Sequence, residues 1–342
     1  MHDKKIFVNA SNCHVGGGKT LLIGFIKGLS DLNENVVIFI DYRFQPTITP
    51  RNVVFIKVKP LNRFLVGFKI RKEANHNDII LYFGNLPPFL KFETKNVYLM
   101  LSFRFYIDLI RLTGFSVLHK LKLHLERIYF KIFLGNVSCV IVQTSTMRRL
   151  LVNSGYKKQI HVWAFDDIGD ISMNNKKSLI KEPGSFLYVA SLLPYKNHKR
   201  LLQAWKNLKD SGLNNRLYLT LDQDNSLKKW IEDFVTDNNL NVLFLRDLPR
   251  EQLIKYFEKA EVLIYPSLYE AYGLPLIEAK KYQLKILASD IDYSWDFIVP
   301  DGFFNPSDVD SISRAVKRYL NKPDTLDKIY TSKEFINKLL IL

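Results

Sequence analysis

Short runs rich in β-branched and aromatic residues alternate along the chain with longer stretches that suit a helix. This alternation is typical of parallel strands joined by helical crossovers, and it predicts an α/β fold. The eleven predicted strands lie at residues 6–10, 36–41, 53–57, 79–83, 97–101, 137–143, 186–190, 216–221, 241–245, 262–265 and 285–289. The length of 342 residues corresponds to about two domains at roughly 150 residues each.

A polar segment divides these strands into two groups. Residues 166–184 are poor in aromatic side chains and end in Pro183-Gly184, as expected of a linker. The sequence therefore predicts two Rossmann-like domains, 1–165 and 185–342, that face each other across a cleft, with the last helix free to pack back on the first domain. Open parallel sheets bind ligands outside the carboxyl ends of their strands, so functional residues are expected just after strands.

The positive charge is unevenly distributed. Residues 1–165 contain 24 Lys and Arg against nine Asp and Glu, whereas the remainder contains 25 of each, so the net charge of +15 lies in the first half. Such an asymmetry predicts an anionic partner for that half: nucleic acid, an acidic membrane surface or a phosphorylated ligand.

The cysteines and the apolar runs indicate the compartment. Cys13 and Cys139 cannot form a disulfide framework and have no metal-ligand spacing, which favours a reducing environment. The first residues lead into a strand without a leader segment, and no apolar run approaches the roughly 20 residues that a membrane-spanning helix needs. A cytoplasmic protein that at most lies on a membrane is expected.

The densest motif is YPSLYEAYGLPLIEA, at residues 265–279. A buried strand runs into a loop that contains Glu270 and Gly273, and Pro275 fits the first position of a helix, where its missing N–H costs nothing. The free amides and partial positive charge of that helix end would attract an anion, and Glu278 falls within the first turn. The motif suits a diphosphate flanked by hydroxyl-rich groups. The alternative is a solvated loop with a dipole-favoured acid.

The pattern Pro-Ser-x-x-Glu-x-x-Gly-Leu-Pro-x-x-Glu-Ala resembles the donor-site signature of family-4 glycosyltransferases, which are retaining enzymes of the GT-B fold. The resemblance implies metal-independent transfer from a nucleotide-diphosphate-sugar. It also implies that Glu270 contacts the transferred sugar and that Glu278 binds the ribose diol. Gly273 and Leu274 would hold the diphosphate, with Tyr272 beside them.

A second motif, FLYVASLLPYKNH at residues 186–198, looks like the first strand and loop of the same family's donor domain. Lys196 matches the Lys that grips the donor diphosphate. Many members have an Arg where this chain has Ser191, so either Arg200 or Lys199 supplies that charge or the helix end at 273–275 carries more of it. The form VAS…P-x-KNH is similar to that of proteins in O-antigen and related surface-glycan assembly.

Glycines also follow the first strand, at Gly16-Gly17-Gly18-Lys19-Thr20. A P-loop would need a further Gly at the position of Cys13, so a nucleotide triphosphatase is a minor alternative. The family resemblance implies that Gly17 and Gly18 lie over the cleft, whereas the plain reading is a tight turn. His14 beside this loop and Arg104 are candidates for the acceptor side.

No metal or other cofactor is expected. Three Asp-x-Asp triplets could suggest a metal site, but acidic turn residues arise easily and the resemblance implies that cationic groups replace the metal. The triplets are Asp222/Asp224, Asp290/Asp292 and Asp308/Asp310.

Residues 103–134 combine apolar residues at helical spacing with basic residues mostly elsewhere. This pattern fits an interfacial helix on anionic lipid, and it equally fits a helix that packs on a sheet. The excess charge of the whole half favours the membrane surface.

Together these features predict a retaining glycosyltransferase that moves a sugar from a nucleotide-diphosphate-sugar to a glycan acceptor. The expected acceptor is a polyprenyl-diphosphate-linked oligosaccharide in lipopolysaccharide O-antigen or related surface-polysaccharide synthesis, at the inner face of the cytoplasmic membrane. The alternatives are a GT-B-like epimerase or phosphorylase, and a basic nucleic-acid-binding protein. No recognisable nucleic-acid motif supports the last, so no nucleic-acid partner is expected.

Overall fold

The chain forms two parallel β-sheets flanked by helices. The computed structural model describes residues 4–14, 16–108, 114–165, 180–221, 226–246 and 248–322. The strands are β1 Ile6–Ala10, β2 Val36–Asp41, β3 Val53–Val58, β4 Ile79–Tyr82, β5 Val97–Leu101, β6 Cys139–Val142, β7 Gln159–Val162, β8 Glu182–Tyr188, β9 Leu217–Thr220, β10 Val242–Leu245, β11 Ala260–Tyr265, β12 Lys285–Ser289 and β13 Gly302–Phe304. The helices are α1 Gly16–Gly28, α2 Leu65–Glu73, α3 Val117–Phe133, α4 Ser145–Asn153, α5 His198–Asp210, α6 Ser226–Asp237, α7 Arg250–Lys259, α8 Leu274–Lys281 and α9 Val309–Tyr319.

Both sheets reverse their strand order at one point. The first runs β3-β2-β1-β4-β5-β6-β7 and the second runs β10-β9-β8-β11-β12-β13. In each sheet the chain therefore first winds one way from the initial strand and then returns to its other side. The reversal leaves a crevice outside the carboxyl ends of β1 and β4, and a second outside those of β8 and β11, which is where such sheets bind ligands.

The predicted α/β class with two parallel sheets is confirmed, and every predicted strand is present. Two strands were missed, β7 and β13, and both lie at sheet edges. An edge strand contacts only one neighbour, so it lacks the continuous apolar run of a central strand; β7 has no buried residue and β13 has three residues.

The predicted linker and last helix fall mostly outside the described residues, which omit 166–179 and 323–342. The end of the predicted linker is already strand, because β8 begins at Glu182. The domain limits themselves stay a prediction.

The helices of the first half divide between the two faces of its sheet. α1 packs on one face through Leu22 and Ile26. α2, α3 and α4 share the other face, to which they contribute Ile70, Phe130 and Met147. This division follows from right-handed crossovers, because the chain winds in opposite directions before and after the reversal. None of the helices in the described ranges is long and apolar enough to cross a bilayer.

Candidate functional site

An ion pair between Lys196 and Glu270 stands at the crevice of the second sheet. Lys196 ends a short 3-10 turn after β8, and Glu270 lies in the loop after β11. Since β8 and β11 are neighbouring parallel strands, both loops emerge at the same sheet edge. Lys196 Nζ lies 2.5 Å from Glu270 Oε1, and the two side chains are 12% and 10% exposed. The sequence placed both residues at the donor site, and the structure brings them together.

Tyrosines surround this ion pair. The Tyr265 hydroxyl donates to Glu270 Oε1 at 2.9 Å, and Lys196 Nζ lies 5.3 Å from the centroid of the Tyr195 ring. Burial raises the pKa of the neighbouring phenols, and the negative charge of Glu270 raises the pKa of each further. They are Tyr188, Tyr195, Tyr265, Tyr269 and Tyr293. The phenols therefore stay neutral, which leaves Lys196 and Glu270 as a balanced pair of charges within a largely apolar wall.

The loop that carries Lys196 is held rigidly. Asn197 adopts a left-handed conformation at φ +64° and ends the 3-10 turn. Its side-chain amide donates to the carbonyls of Pro266 and Pro306, at 3.0 and 2.7 Å. The Tyr188 hydroxyl donates to the Lys196 carbonyl. These bonds tie the turn to the β11 loop, so the ammonium is positioned without a ligand.

The loop after β11 leads into α8 through Gly273. Gly273 has φ +73°, and a β-carbon there would lie 3.1 Å from Leu276 Cδ1, so the bend requires a glycine. The helix begins at Leu274, one residue before the predicted start at Pro275. The Leu276 amide donates to the Gly273 carbonyl at 2.9 Å and Pro275 has no amide hydrogen. The partial positive charge at this amino end would still favour an anion.

Glu278 lies one turn into α8 rather than in the first turn. Its side chain is buried, and Arg250 Nη2 contacts Glu278 Oε1 at 2.7 Å. Arg250 is the first residue of α7, which follows the carboxyl end of β10. The sequence analysis missed this arginine, although the rule that functional residues follow strands would have included it.

The glycine loop of the first half approaches the same helix end. A β-carbon on Gly17 would lie 3.6 Å from Leu274 Cδ1. Gly17 and Gly18 belong to the first turn of α1, so two helix amino ends converge here. The predicted position of the loop over the cleft agrees with this contact, while the donor-binding role of both glycines stays a prediction.

Aromatic rings close the seam between the halves beside the ion pair. Phe105 contacts Tyr195 and Tyr269, with ring centroids 5.5 and 5.1 Å apart. The ring centroids of Phe115 and Tyr195 are 6.4 Å apart. Arg104 is paired with Asp108 at 2.9 Å. Burial raises the pKa of Tyr269, and the nearby charge of Arg104 lowers it by a smaller amount.

Tyr272 points away from the ion pair. Its hydroxyl donates to the Phe165 carbonyl at 3.0 Å and its ring packs against Phe297. The neighbouring Ala271 carbonyl accepts from the Thr144 hydroxyl at 3.2 Å. Tyr272 and Ala271 therefore join the donor loop to the first half.

The residues near Ser191 are engaged elsewhere. Lys199 Nζ lies 4.8 Å from the Trp230 ring centroid, and Arg200 donates to Asn197 Oδ1 at 3.1 Å. The Ser191 carbonyl accepts from the Leu193 amide at 2.8 Å. Lys199 thus lies against a neighbouring helix, while Arg200 supports the Lys196 turn.

Two of the acidic triplets have structural partners. Asp292 pairs with Arg149 at 2.6 Å, and Asp308 accepts from the Asp310 amide at 2.9 Å, which caps α9. Asp222 and Asp224 lie outside the described residues. Within the described ranges no three His, Cys, Asp or Glu side chains are grouped to hold a metal. Cys13 is buried, and burial raises the pKa of its thiol to about 12.

Two cavities lie along the seam between the halves. One of about 390 Å³ is lined by Arg149 and Asp292, and another of about 480 Å³ is lined by Tyr272 and Phe297.

Comparisons with known proteins agree with this geometry. Residues 170–334 match the family described as Glycosyl transferases group 1. The chain is 28% identical over 156 residues to the O-antigen chain mannosyltransferase B of Escherichia coli, which covers 44% of this chain and 40% of that protein. The chain thus spans less than half of that relative.

Solved structures extend the likeness to both halves. Sucrose-phosphate synthase from Thermosynechococcus elongatus superposes with a TM-score of 0.70 at 17% identity, over 94% of this chain and 90% of that one. S. aureus TarM, in complex with UDP and alpha-GlcNAc-glycerol, superposes with a TM-score of 0.67 at 14% identity, over 99% of each chain. The fold is GT-B, as predicted.

We expect Gly273→Ala to displace the donor loop. A left-handed residue other than glycine costs about 1 kcal/mol, and the added carbon crowds Leu276. Turnover should fall at least tenfold, measured as sugar transfer by the purified enzyme. Gly212→Ala is the control, because Gly212 has φ +85° with open space and lies at the end of α5. Equal activity of the two variants would refute a positioning role for the Gly273 bend.

His198 should make stability depend on pH. Its ring is buried without a hydrogen-bond partner, and burial together with the Lys196 charge lowers its pKa to about 3. Between about pH 6.5 and 3 the unfolded chain binds a proton that the folded state does not, so stability falls as pH falls. When the pH is lowered from 6.5 to 5, the free energy of unfolding should fall by about 2 kcal/mol less in His198→Leu than in the native protein. Urea unfolding at the two pH values measures this difference. The control is His76→Leu, at an exposed histidine, whose free energy of unfolding should fall by as much as that of the native protein.

Proposed function

We propose that the protein is a retaining glycosyltransferase that moves a sugar from a nucleotide-diphosphate-sugar to a glycan acceptor without a metal cofactor. The observation that carries this proposal is the Lys196–Glu270 pair at the β8–β11 crevice, beside the amino end of α8. The group 1 domain and the GT-B neighbours support it.

The donor diphosphate takes the place of Glu270 as the partner of Lys196. The ammonium and the first-turn amides of α8 then face the departing phosphate, whose charge grows in the transition state. Charge-assisted hydrogen bonds of this kind contribute roughly 1.5–3 kcal/mol each. Leu274 supplies such an amide, whereas Pro275 has none. Because these groups meet the leaving-group charge, we assign no step to a metal.

Glu270 is released from Lys196 when the donor binds. Its carboxylate then accepts hydrogen bonds from hydroxyls of the transferred sugar, while Tyr265 continues to orient it. The acceptor hydroxyl attacks from the face that the diphosphate leaves, so the anomeric configuration is retained. Positioning of the two substrates, rather than a covalent enzyme intermediate, lowers the barrier.

Glu278 binds the ribose diol of the nucleotide. Arg250 pairs with the same carboxylate at 2.7 Å, and this contact places a cation beside the nucleotide. Arg250 is thereby a further donor-side residue.

The acceptor is a polyprenyl-diphosphate-linked glycan of lipopolysaccharide O-antigen or related surface-polysaccharide synthesis. The name of the Escherichia coli relative supports the O-antigen assignment. The chemistry of such an acceptor accounts for the surplus charge of residues 1–165 better than nucleic acid does. We place the protein at the cytoplasmic face of the membrane.

The outer surface of α3 fits such a membrane. Its exposed apolar side chains form one stripe and are between 45% and 80% exposed: Val117, Leu118, Leu121, Leu125, Ile128 and Ile132. Basic residues flank the stripe: Lys120, Lys122, Arg127 and Lys131. Only Leu123 and Phe130 of this helix are buried, so most of its apolar surface is not used in the core.

A second exposed apolar group lies on the same side of the first sheet. Phe64, Phe68 and Leu61 are more than half exposed at the start of α2, near Arg71 and Lys72. α2 and α3 share one sheet face, and both apolar groups carry basic neighbours, which suits contact with anionic lipid.

Sugar transfer should depend on the ion pair. With a panel of nucleotide sugars that includes mannose donors, we expect Lys196→Ala and Glu270→Ala each to lower turnover by about a hundredfold or more, since each removes transition-state stabilisation. Mass spectrometry identifies the product, and NMR of its anomeric carbon reports retention. Activity should survive a metal chelator.

The control is Lys206→Ala, because Lys206 forms a Lys–carboxylate contact of 2.5 Å with Asp210 on the surface of α5. It should keep full activity, since exposed pairs contribute little. Near-normal transfer by Lys196→Ala or Glu270→Ala, with intact thermal unfolding, would contradict the site assignment.

Membrane association should depend on the α3 stripe. The double variant Leu118→Glu/Leu121→Glu should bind vesicles of phosphatidylglycerol and phosphatidylcholine at least tenfold more weakly at low salt, because it adds negative charge and removes apolar contact. Val299→Glu, at a similarly exposed site in the second half, should bind normally. Sedimentation measures binding, which should weaken with salt. Salt-independent binding, or equal binding by the double variant, would refute the surface.

A further inference from the structure

A cluster of two arginines and one histidine surrounds a single buried carboxylate at the first sheet. Asp41 is the last residue of β2 and is fully buried. Arg43 Nε and Nη2 lie 2.8 and 3.0 Å from its two oxygens, and Arg63 Nη2 lies 2.5 Å from Oδ2. His14 Nδ1 is 3.8 Å from Oδ2. Residues from three separate segments therefore meet at one carboxyl edge of the sheet.

The cluster carries surplus positive charge. Hydrogen bonds from Arg43, followed by those from Arg63, hold the pKa of Asp41 well below its usual range, so Asp41 contributes one negative charge. The two guanidiniums contribute two positive charges. Glu73 pairs with Lys5 and Asp108 pairs with Arg104, so neither carboxylate neutralises the cluster. One arginine neutralises the charge of Asp41, so the cluster keeps one net positive charge from the second arginine.

Both arginines remain accessible. Their side chains are 43% and 33% exposed, although Asp41 itself is buried. Arg63 Nε is buried without a hydrogen-bond partner. A buried donor that lacks a partner costs free energy, which an anion at the cluster would offset. The carboxylate thus fixes two guanidiniums side by side while part of each faces outward.

The cluster lies within reach of the donor site. His14 precedes Gly17 by three residues, a separation of at most about 10 Å in an extended chain. Gly17 in turn approaches Leu274 at the amino end of α8. An acceptor whose hydroxyl faces the donor sugar can therefore also present a charged group to the arginines.

We propose that Arg43 and Arg63 form an anion subsite that binds a phosphate or diphosphate group of the acceptor. The planar guanidiniums, held by Asp41, match phosphate oxygens with paired N–H donors. The inference rests on the proposed glycosyltransferase function, because it assigns this anion to the second substrate. Binding of this anion would also explain part of the excess positive charge of residues 1–165.

Binding of inorganic pyrophosphate tests the subsite separately from the donor site. Isothermal titration at low salt should show two sites in the native protein, of which Lys196→Gln removes one. In the Lys196→Gln background, Arg43→Gln and Arg63→Gln should each weaken the remaining site at least tenfold. Arg51→Gln is the matched control, because exposed Arg51 stands before the amino end of β3, at the opposite sheet edge, and its loss changes the net charge equally.

The outcomes separate the two proposals. If Lys196→Gln leaves both sites, the donor assignment fails; if the Arg43 and Arg63 variants leave the second site intact, or Arg51→Gln weakens it equally, the subsite fails. If Arg63→Gln unfolds, Arg63→Lys replaces it, because lysine keeps a positive charge beside Asp41. This variant should still weaken binding, since it loses the paired N–H donors of the guanidinium. Farnesyl diphosphate is a second probe that distinguishes the two sources of the anion. If the subsite serves a lipid-linked diphosphate, farnesyl diphosphate should bind more tightly than pyrophosphate. If it serves a free sugar phosphate, the isoprenyl chain should add no affinity.

Discussion

The pairing of β8 with β11 is the constraint on which the proposed donor site depends. Phe186 and Leu187 of β8 stand beside Val262 and Leu263 of β11, and all four side chains are fully buried. Burial of each such side chain stabilises the fold by about 1.5–3 kcal/mol, so these are among the least mobile strands of the protein. The loops that carry Lys196 and Glu270 leave from their ends. The geometry of the ion pair is therefore set by the core and requires no ligand.

The two halves contribute unequally to this geometry. The second half supplies the charged pair and the amino end of α8, while the first half covers them with Phe105, Phe115 and Gly17. A covered site excludes water, and the electrostatic interactions within it gain strength. The seam is held largely by rings and by single hydrogen bonds such as that of Thr144 with Ala271.

The sequence was sufficient for the fold class and for the residues at strand ends, because both follow from local patterns. Central strands are continuous apolar runs, and the residues after them must gather at one sheet edge, which is why Lys196 and Glu270 could be placed together. Which distant side chains pair with each other was not predictable, even where a residue such as Arg250 follows a strand. Arg250 reaches Glu278 from another helix, and Arg63 reaches Asp41 from a turn beyond β3. The side-chain direction of Tyr272 also depended on the seam, which no local pattern encodes.

One arrangement recurs at the carboxyl edges of both sheets. Glu270 holds Lys196, Glu278 holds Arg250, and Asp41 holds Arg43 and Arg63. In each case a mostly buried carboxylate keeps a long cationic side chain in one place, so less conformational entropy is lost when an anion arrives. The cost is that the ligand must compete with the carboxylate. A diphosphate can do so because it offers more oxygens and more charge than one carboxyl group. A neutral hydroxyl brings no charge to the cationic side chain, so under the proposed function the arrangement favours substrates that carry phosphate groups.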